Sequence, residues 1–108
     1  MRVQPFAGPS NSGKTTTICG LIREAVAKGE RVGAIKHTHH MLNDENRGDT
    51  SRFRMAGADP VILAGDGEAV VFRGAETFRI RFDDPRDLLE VFDGDVVFVE
   101  GFKSYDWS

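Results

Sequence analysis

The chain has 108 residues, of which 40% are hydrophobic and 29% are charged, and its formal net charge is −3. That composition is typical of one globular domain, here residues 1–108, and it argues against nucleic-acid or membrane-surface binding, since both need clustered positive charge. The single Cys19 has no internal disulfide partner, and no apolar run approaches the length of a signal peptide or a membrane span, so we expect a cytoplasmic protein.

The first third of the chain predicts a strand, a helix and a second strand. The strand Arg2–Ala7 precedes a helix at Lys14–Lys28, whose apolar residues recur at the spacing of one buried face. Gly29 is the predicted stop, and Arg31–Lys36 is the next strand. Such a unit places its strands parallel. Pro5 conflicts with a central position of the first strand, because proline removes a ladder hydrogen bond, so we expect that strand to bend or to be short.

A polar loop then leads to a short helix and several strands. The helix is predicted at Thr50–Gly57 with Asp49 as its N-cap, and Pro60–Ala64 is an apolar strand. Two further segments flank a connection that contains Gly74. The second of them, "FRIRF", alternates apolar residues with arginines, which predicts a hairpin strand with one wet face.

The last part of the chain predicts a helix followed by a buried strand. The helix has Asp84 at its N-cap, Pro85 at its first position and Gly94 as its stop. The segment "DVVFVEGFK" is apolar without alternation, as in a strand covered on both faces. These elements predict a three-layer α/β domain whose sheet is mostly parallel, with an antiparallel hairpin at one edge.

The stretch "GPSNSGKT" (8–15) matches the pattern G-x-x-x-x-G-K-[ST]. Its glycines allow backbone N–H groups to converge on an anion, and the following helix directs its N-terminal partial positive charge to the same point. Lys14 would reach the β- and γ-phosphates, and the Thr15 hydroxyl would ligate Mg²⁺. The alternative is a flexible turn that precedes a helix. The position of the motif between a strand and an amphipathic helix favours a phosphate site, or P-loop.

A phosphate site of this kind needs an acidic partner for magnesium or water. Glu100 ends the last buried strand, and ligands of open α/β sheets bind outside such carboxyl ends. We therefore expect Glu100 to hold the metal, directly or through water, as a Walker B residue. The alternative is an exposed glutamate at the end of a strand.

Three further motifs make the chain resemble one family. "IKHTHH" (35–40), "DTSRFRMAGA" (49–58) and "VEGFK" (99–103) follow the P-loop in the order seen in the MobB family, the molybdopterin-guanine dinucleotide biosynthesis protein B. The resemblance implies a dimeric, weakly hydrolysing GTP-binding P-loop protein that assists the guanylyltransferase attaching GMP to molybdopterin. The guanine preference rests on the resemblance alone, since the chain contains no [NT]-K-x-D motif. Family members continue well beyond "VEGFK", which implies a truncated form, a natural short form or one that depends on a partner.

The resemblance also assigns site residues. Lys14 and Glu100 would be catalytic, with magnesium on Thr15 and Glu100. Lys36 and His37 would face the nucleotide, and Asp49 and Arg52, with Arg54 nearby, would follow a switch-like loop near the phosphates or the pterin ligand. The phosphates would contact the residues of the P-loop, namely Gly8, Ser10, Asn11, Ser12, Gly13, Lys14, Thr15 and Thr16.

Several of these residues have other interpretations. His37, His39 and His40 lack cysteine partners and a recognised zinc spacing, so a phosphate or pterin contact by His37, or a solvated role, competes with a zinc site. Arg52 and Arg54 could either lie on a solvated helix face or form bidentate hydrogen bonds to phosphate.

The sequence thus predicts a GTP- and Mg²⁺-binding accessory protein of molybdenum cofactor biosynthesis. Hydrolysis is predicted to be slow at most, because phosphoryl transfer to water needs a positioned nucleophile and charge neutralisation beyond the P-loop lysine. The alternatives are a small-molecule kinase that uses the same P-loop and a non-hydrolysing interaction module.

Overall fold

A computed structural model of the chain describes residues 1–8, 13–39 and 47–108. The described elements are β1 (Arg2–Phe6), α1 (Lys14–Ala27), β2 (Val32–His37), α2 (Arg47–Ala56), β3 (Val61–Ala64), β4 (Glu68–Arg73), β5 (Glu76–Arg81), a 3₁₀ helix (Pro85–Val91) and β6 (Val96–Glu100). Neither of the two α-helices in these ranges is long and apolar enough to span a bilayer.

The six strands form one sheet in the order β1-β6-β2-β3-β4-β5. The first four strands in that order are parallel, and β4 and β5 form an antiparallel hairpin at one edge, which confirms the predicted sheet. The strands β1 and β2 are parallel but not adjacent, because β6 lies between them. The end of β6 therefore lies beside the end of β1, where the glycine loop begins.

The two faces of the sheet bury different clusters, which confirms the three layers. On one face, α1 and α2 pack over small and apolar strand residues that include Ala34 and Phe98. On the other face, the 3₁₀ helix and the C-terminal segment around Trp107 cover Ile35 and Val99. Because side chains alternate along a strand, neighbouring residues at the end of β2 face opposite layers.

The sheet accommodates Pro5 because β1 is an edge strand and not, as predicted, a central one. Arg2 donates its N–H to the carbonyl of Asp95, and Phe6 accepts from the N–H of Gly101, so alternate residues of β1 bond β6. Pro5 falls between them and faces outward, where its missing N–H removes no ladder bond.

Both helix predictions after the first βαβ unit need correction. The helix α2 begins at Arg47, so Asp49 lies in its first turn and is not the N-cap. The last predicted helix is a 3₁₀ helix that ends before Gly94. Phe92 leaves it in an extended conformation and packs on Gly33, where an added Cβ would lie 2.3 Å from the Phe92 ring. Asp84 caps this helix as predicted and accepts the N–H of Arg86 at 2.9 Å.

Candidate functional site

The glycine loop joins β1 to α1 and ends at Gly13, which caps α1 with a φ of 82°. That left-handed conformation suits a residue without a side chain, and it brings Lys14 and Thr15 into the first turn of the helix. Ser10, Asn11 and Ser12 lie outside the described residues, so their predicted phosphate contacts remain predictions.

The P-loop lysine and threonine contact the start of the motif and the end of β6. The Lys14 Nζ atom donates to the carbonyl oxygen of Gly8 at 3.0 Å, so its ammonium lies beside the glycine that begins the motif. The Thr15 hydroxyl donates to Oε1 of Glu100 at 2.7 Å. These contacts exist because β6 pairs directly with β1, which puts Glu100 opposite Phe6. The structure thus brings together the three residues that the motif analysis singled out.

A buried ion-pair cluster completes this side of the site. Glu100 is only 3% exposed, and its Oε2 atom forms an ion pair with Nζ of Lys36, its register partner on β2. The same ammonium lies 2.9 Å from Oδ2 of Asp49. Burial acts to lower the pKa of Lys36, but its hydrogen bonds to the two carboxylates outweigh burial and raise that pKa. Lys36 is therefore a charged ammonium held between two acidic groups.

The two arginines of α2 have different surroundings. Arg52 donates to the Thr16 hydroxyl at 3.1 Å, which places its guanidinium beside the first turn of α1. Arg54 instead donates to the carbonyl of Gly74 at 2.7 Å and stacks over Phe72, so it supports the β4–β5 turn. Arg52 thus stays a candidate phosphate contact, whereas the contacts of Arg54 are with the β4–β5 hairpin, and its predicted place near the phosphates or the pterin ligand stays a prediction.

The oxygen atoms of Thr15 and Glu100 are suitable ligands for a magnesium ion. Mg²⁺ takes oxygen ligands at about 2.0–2.1 Å in an octahedron, so neighbouring ligands lie about 2.9 Å apart. The Thr15 hydroxyl and the Glu100 carboxylate oxygen are 2.7 Å apart, close to that separation. The pair could therefore serve as neighbouring ligands, and a phosphate oxygen at the P-loop would complete a typical nucleotide–metal site.

His37 ends β2 on the opposite face of the sheet from Lys36. Its Nε2 atom lies 3.0 Å from Oδ1 of Asp66, its Nδ1 atom accepts the N–H of Phe102 at 3.3 Å, and its ring stacks on the Phe102 ring at 3.9 Å. Because Nδ1 accepts a hydrogen bond, a neutral His37 carries its proton on Nε2 and donates it to Asp66.

This tautomer bears on the predicted zinc alternative. Ligand atoms of His37, His39 and Asp66 lie within 4.8 Å of one another, a spacing that could hold a metal ion. A protonated Nε2 has no lone pair for a metal, so the geometry favours a hydrogen-bonded group. His40 lies outside the described residues.

The His37–Asp66 pair gives a testable pH dependence. Burial lowers the pKa of His37 below its ordinary value of 6.5, against the opposing hydrogen bond to Asp66. The unfolded chain therefore takes up this proton at a higher pH than the folded chain does. The free energy of unfolding is expected to fall as the pH drops below about 6.5 and to stop responding below the folded pKa.

Urea denaturation at a series of pH values measures this effect. The series runs from about pH 5 to about pH 8, which brackets the ordinary histidine pKa of about 6.5. The H37Q variant should lose this component of the pH dependence. The H39Q variant, which removes the neighbouring exposed histidine, should keep it. An H37Q profile that matches the unmodified protein would assign the pH dependence to other groups.

Two cavities meet at the stacked rings of His37 and Phe102. One, of about 210 Å³, is lined by P-loop and strand-end residues that include Lys14, Lys36 and Glu100. The other, of about 410 Å³, shares these rings and is also lined by Asp66, Phe82 and Tyr105 among others. The second cavity has the size of a small-molecule site.

Sequence reasoning missed Asp66 and Phe102. Asp66 follows β3 at the same carboxyl edge as Glu100, a position that could have identified it. Phe102 lies within "VEGFK" and adopts a φ of 54°, which is uncommon for a bulky residue. Only the fold shows that Phe102 lines both cavities.

Comparison with known proteins gives a consistent family. The family model described as "MobB: Molybdopterin guanine dinucleotide synthesis protein B" matches residues 3–107. A protein of Haemophilus influenzae named molybdopterin-guanine dinucleotide biosynthesis adapter protein is 39% identical over 107 residues, covering 91% of this chain and 55% of that protein. Its namesake from Escherichia coli is 34% identical over 100 residues, covering 91% and 57%.

The fold has a matching solved structure. The crystal structure of Bacillus subtilis MobB superposes with a TM-score of 0.61 and 27% identity, covering 99% of this chain and 64% of that one. The chain thus spans somewhat more than half the length of the curated relatives that it matches.

Proposed function

This chain belongs to the MobB family, and from that membership and the geometry of its site we propose that it binds a magnesium–GTP complex and acts as an adapter in molybdopterin guanine dinucleotide biosynthesis. The observation that carries the nucleotide part is the contact between the Thr15 hydroxyl and the buried Glu100 carboxylate, with Lys14 one residue earlier in the same helix turn. These are the oxygen ligands and the cation that a P-loop uses for a metal–triphosphate complex.

Each group has a distinct role in this proposal. The ammonium of Lys14 would leave the Gly8 carbonyl for the β- and γ-phosphate oxygens, and the N-terminal dipole of α1 would add to its attraction. Thr15 and Glu100 would hold Mg²⁺, which supplies further neutralisation of phosphate charge. Arg52, bonded to Thr16, would reach the outer phosphates. We propose GTP as the nucleotide, and not ATP, because the family's name refers to a guanine dinucleotide.

The larger cavity supports a second ligand beside the nucleotide. Its aromatic walls suit a flat ring such as that of molybdopterin, and the carboxylate of Asp66 could accept N–H groups from such a ring. The shared wall of His37 and Phe102 would place this ligand next to the phosphates. We propose that a homodimer presents the two ligands to the guanylyltransferase, as the adapter name of the relatives suggests.

Binding is tested by calorimetric titration of GTP and ATP, each with and without Mg²⁺, and of molybdopterin. We expect GTP with Mg²⁺ to bind at least about tenfold more tightly than ATP, a difference of about 1.4 kcal/mol. Omission of Mg²⁺ should weaken binding, and molybdopterin should still bind the GTP-loaded protein. A folded sample that takes up neither triphosphate with Mg²⁺ would overturn the proposal.

Product analysis separates an adapter from the small-molecule kinase alternative. An adapter that holds GTP needs no fast turnover, so we expect slow release of GDP and inorganic phosphate without any acceptor. The assay incubates the protein with Mg²⁺–GTP, alone and with molybdopterin, and identifies products by mass spectrometry. Stoichiometric appearance of a phosphorylated acceptor would favour the kinase.

A further inference from the structure

The ammonium of Lys36 lies where a second cation would compete with magnesium. Its Nζ atom pairs with Oε2 of Glu100 and lies 2.9 Å from Oδ2 of Asp49, while Thr15 bonds the other oxygen of Glu100. The side chain of Lys36 is 19% exposed. The carboxylate that the proposed metal site needs is therefore already neutralised by a cation of the chain itself.

The positions of Lys36, Glu100 and Asp49 follow from the fold. Lys36 and Glu100 are register partners on adjacent parallel strands, so their side chains leave the sheet side by side on the helix-covered face. Asp49 approaches from the first turn of α2, which packs on the same face. The three charged groups thus come from three elements and converge beside the P-loop helix.

We propose that Lys36 is an internal counter-ion that weakens the binding of divalent cations at the Thr15–Glu100 pair until a polyphosphate enters the P-loop. Without nucleotide, a divalent cation at this pair would lie close to a fixed ammonium, which Glu100 already shares with Asp49 and whose repulsion offsets part of the attraction of the Glu100 carboxylate. An incoming polyphosphate offers the ammonium another anionic partner. Lys36 then turns to phosphate oxygens and releases Glu100 to the metal.

This inference rests on the proposed nucleotide function, and it gives that site a definite order. The cation is expected to enter with the nucleotide or after it, and to bind the nucleotide-free protein only weakly. Asp49 is a positioning residue in this scheme, because its carboxylate shares the ammonium and acts on Glu100 only through it.

The experiment measures Mn²⁺ binding without nucleotide by the electron paramagnetic resonance signal of free Mn²⁺. We expect the unmodified protein to bind Mn²⁺ weakly, and the K36M and K36Q variants to bind it at least about tenfold more tightly, because one positive charge beside the site is gone. The K36Q variant keeps a donor for Glu100 in case K36M does not fold. A thermal melt that rises with Mn²⁺ in either variant, but not in the unmodified protein, gives a second readout.

Two controls make the result specific. K28M removes the same charge from the exposed end of α1, where Lys28 pairs with Glu24 at 3.5 Å, and it should leave Mn²⁺ affinity unchanged. Adding E100Q to K36Q should abolish the gain, which locates the new site. A folded K36Q protein with the Mn²⁺ affinity of K28M would overturn the inference.

The outcomes also separate this inference from the nucleotide proposal. A gain of Mn²⁺ binding in K36Q, in a protein that takes up no triphosphate, would support the counter-ion and reject the GTP site. Tight Mg²⁺–GTP binding by the unmodified protein, with no gain of Mn²⁺ binding in K36Q, would do the reverse.

Discussion

Replacing Lys14 with alanine is expected to weaken Mg²⁺–GTP binding by about 100-fold, since charge-assisted contacts to phosphate contribute roughly 1.5–3 kcal/mol each. The structure gives a reason to expect this without unfolding. The side chain of Lys14 and the Gly8 carbonyl that it bonds are both only partly buried. Loss of the ammonium therefore removes a phosphate contact and leaves the core packing of α1 unchanged.

Isothermal titration calorimetry of K14A with Mg²⁺–GTP provides the measurement, and a thermal melt confirms that the variant is folded. K28A is the matched control, because it removes a lysine from the exposed end of the same helix, at a side chain 67% exposed. Unchanged GTP affinity in K14A, or an equal loss in K28A, would rule out a P-loop role for Lys14.

Replacing Gly101 with alanine is expected to cost about 2–4 kcal/mol of unfolding free energy, the sum of backbone strain and crowding. Gly101 follows β6 with a φ of 100°, a conformation that strains any residue with a side chain. An added Cβ would lie 2.8 Å from Cβ of His37 and 3.3 Å from its carbonyl oxygen. The contact would push apart the ends of β6 and β2, where both halves of the site are built.

Urea denaturation of G101A tests this expectation, with G74A as the control. Gly74 also has a positive φ, of 55°, but an added Cβ there would meet no atom within 4 Å. G74A should therefore cost about 1 kcal/mol of backbone strain alone. Equal losses in the two variants would show that the approach of His37 to Gly101 relaxes freely.

Much of the fold could be predicted because its signals are local. The apolar spacing of α1, the alternation in β5 and the Asp84–Pro85 cap each depend on a few consecutive residues. The edge position of β1 could not be predicted, because it depends on pairing with β6 at the far end of the chain. The early end of the 3₁₀ helix likewise follows from packing of Phe92 on Gly33.

The candidate site divides in the same way. The motif identified Lys14 and Thr15, and the end of a buried strand identified Glu100. The contact of Thr15 with Glu100 depends on sheet order, and the pairing of Lys36 with Asp49 depends on the packing of α2 on the sheet. The resemblance to the MobB family implied that Lys36 and His37 both face the nucleotide. They lie on opposite faces, since adjacent residues of a strand alternate, although both reach the smaller cavity.

That alternation limits which insertions and deletions this segment can tolerate. One residue added or lost inside β2 would move Lys36 to the face of the sheet that holds Phe102 and His37 to the helix-covered face that holds Glu100. Length variation among natural variants should therefore be absent between Val32 and His37. An alignment of related sequences is expected to show a constant number of residues from the start of β2 to His37, even where the loops on either side differ in length.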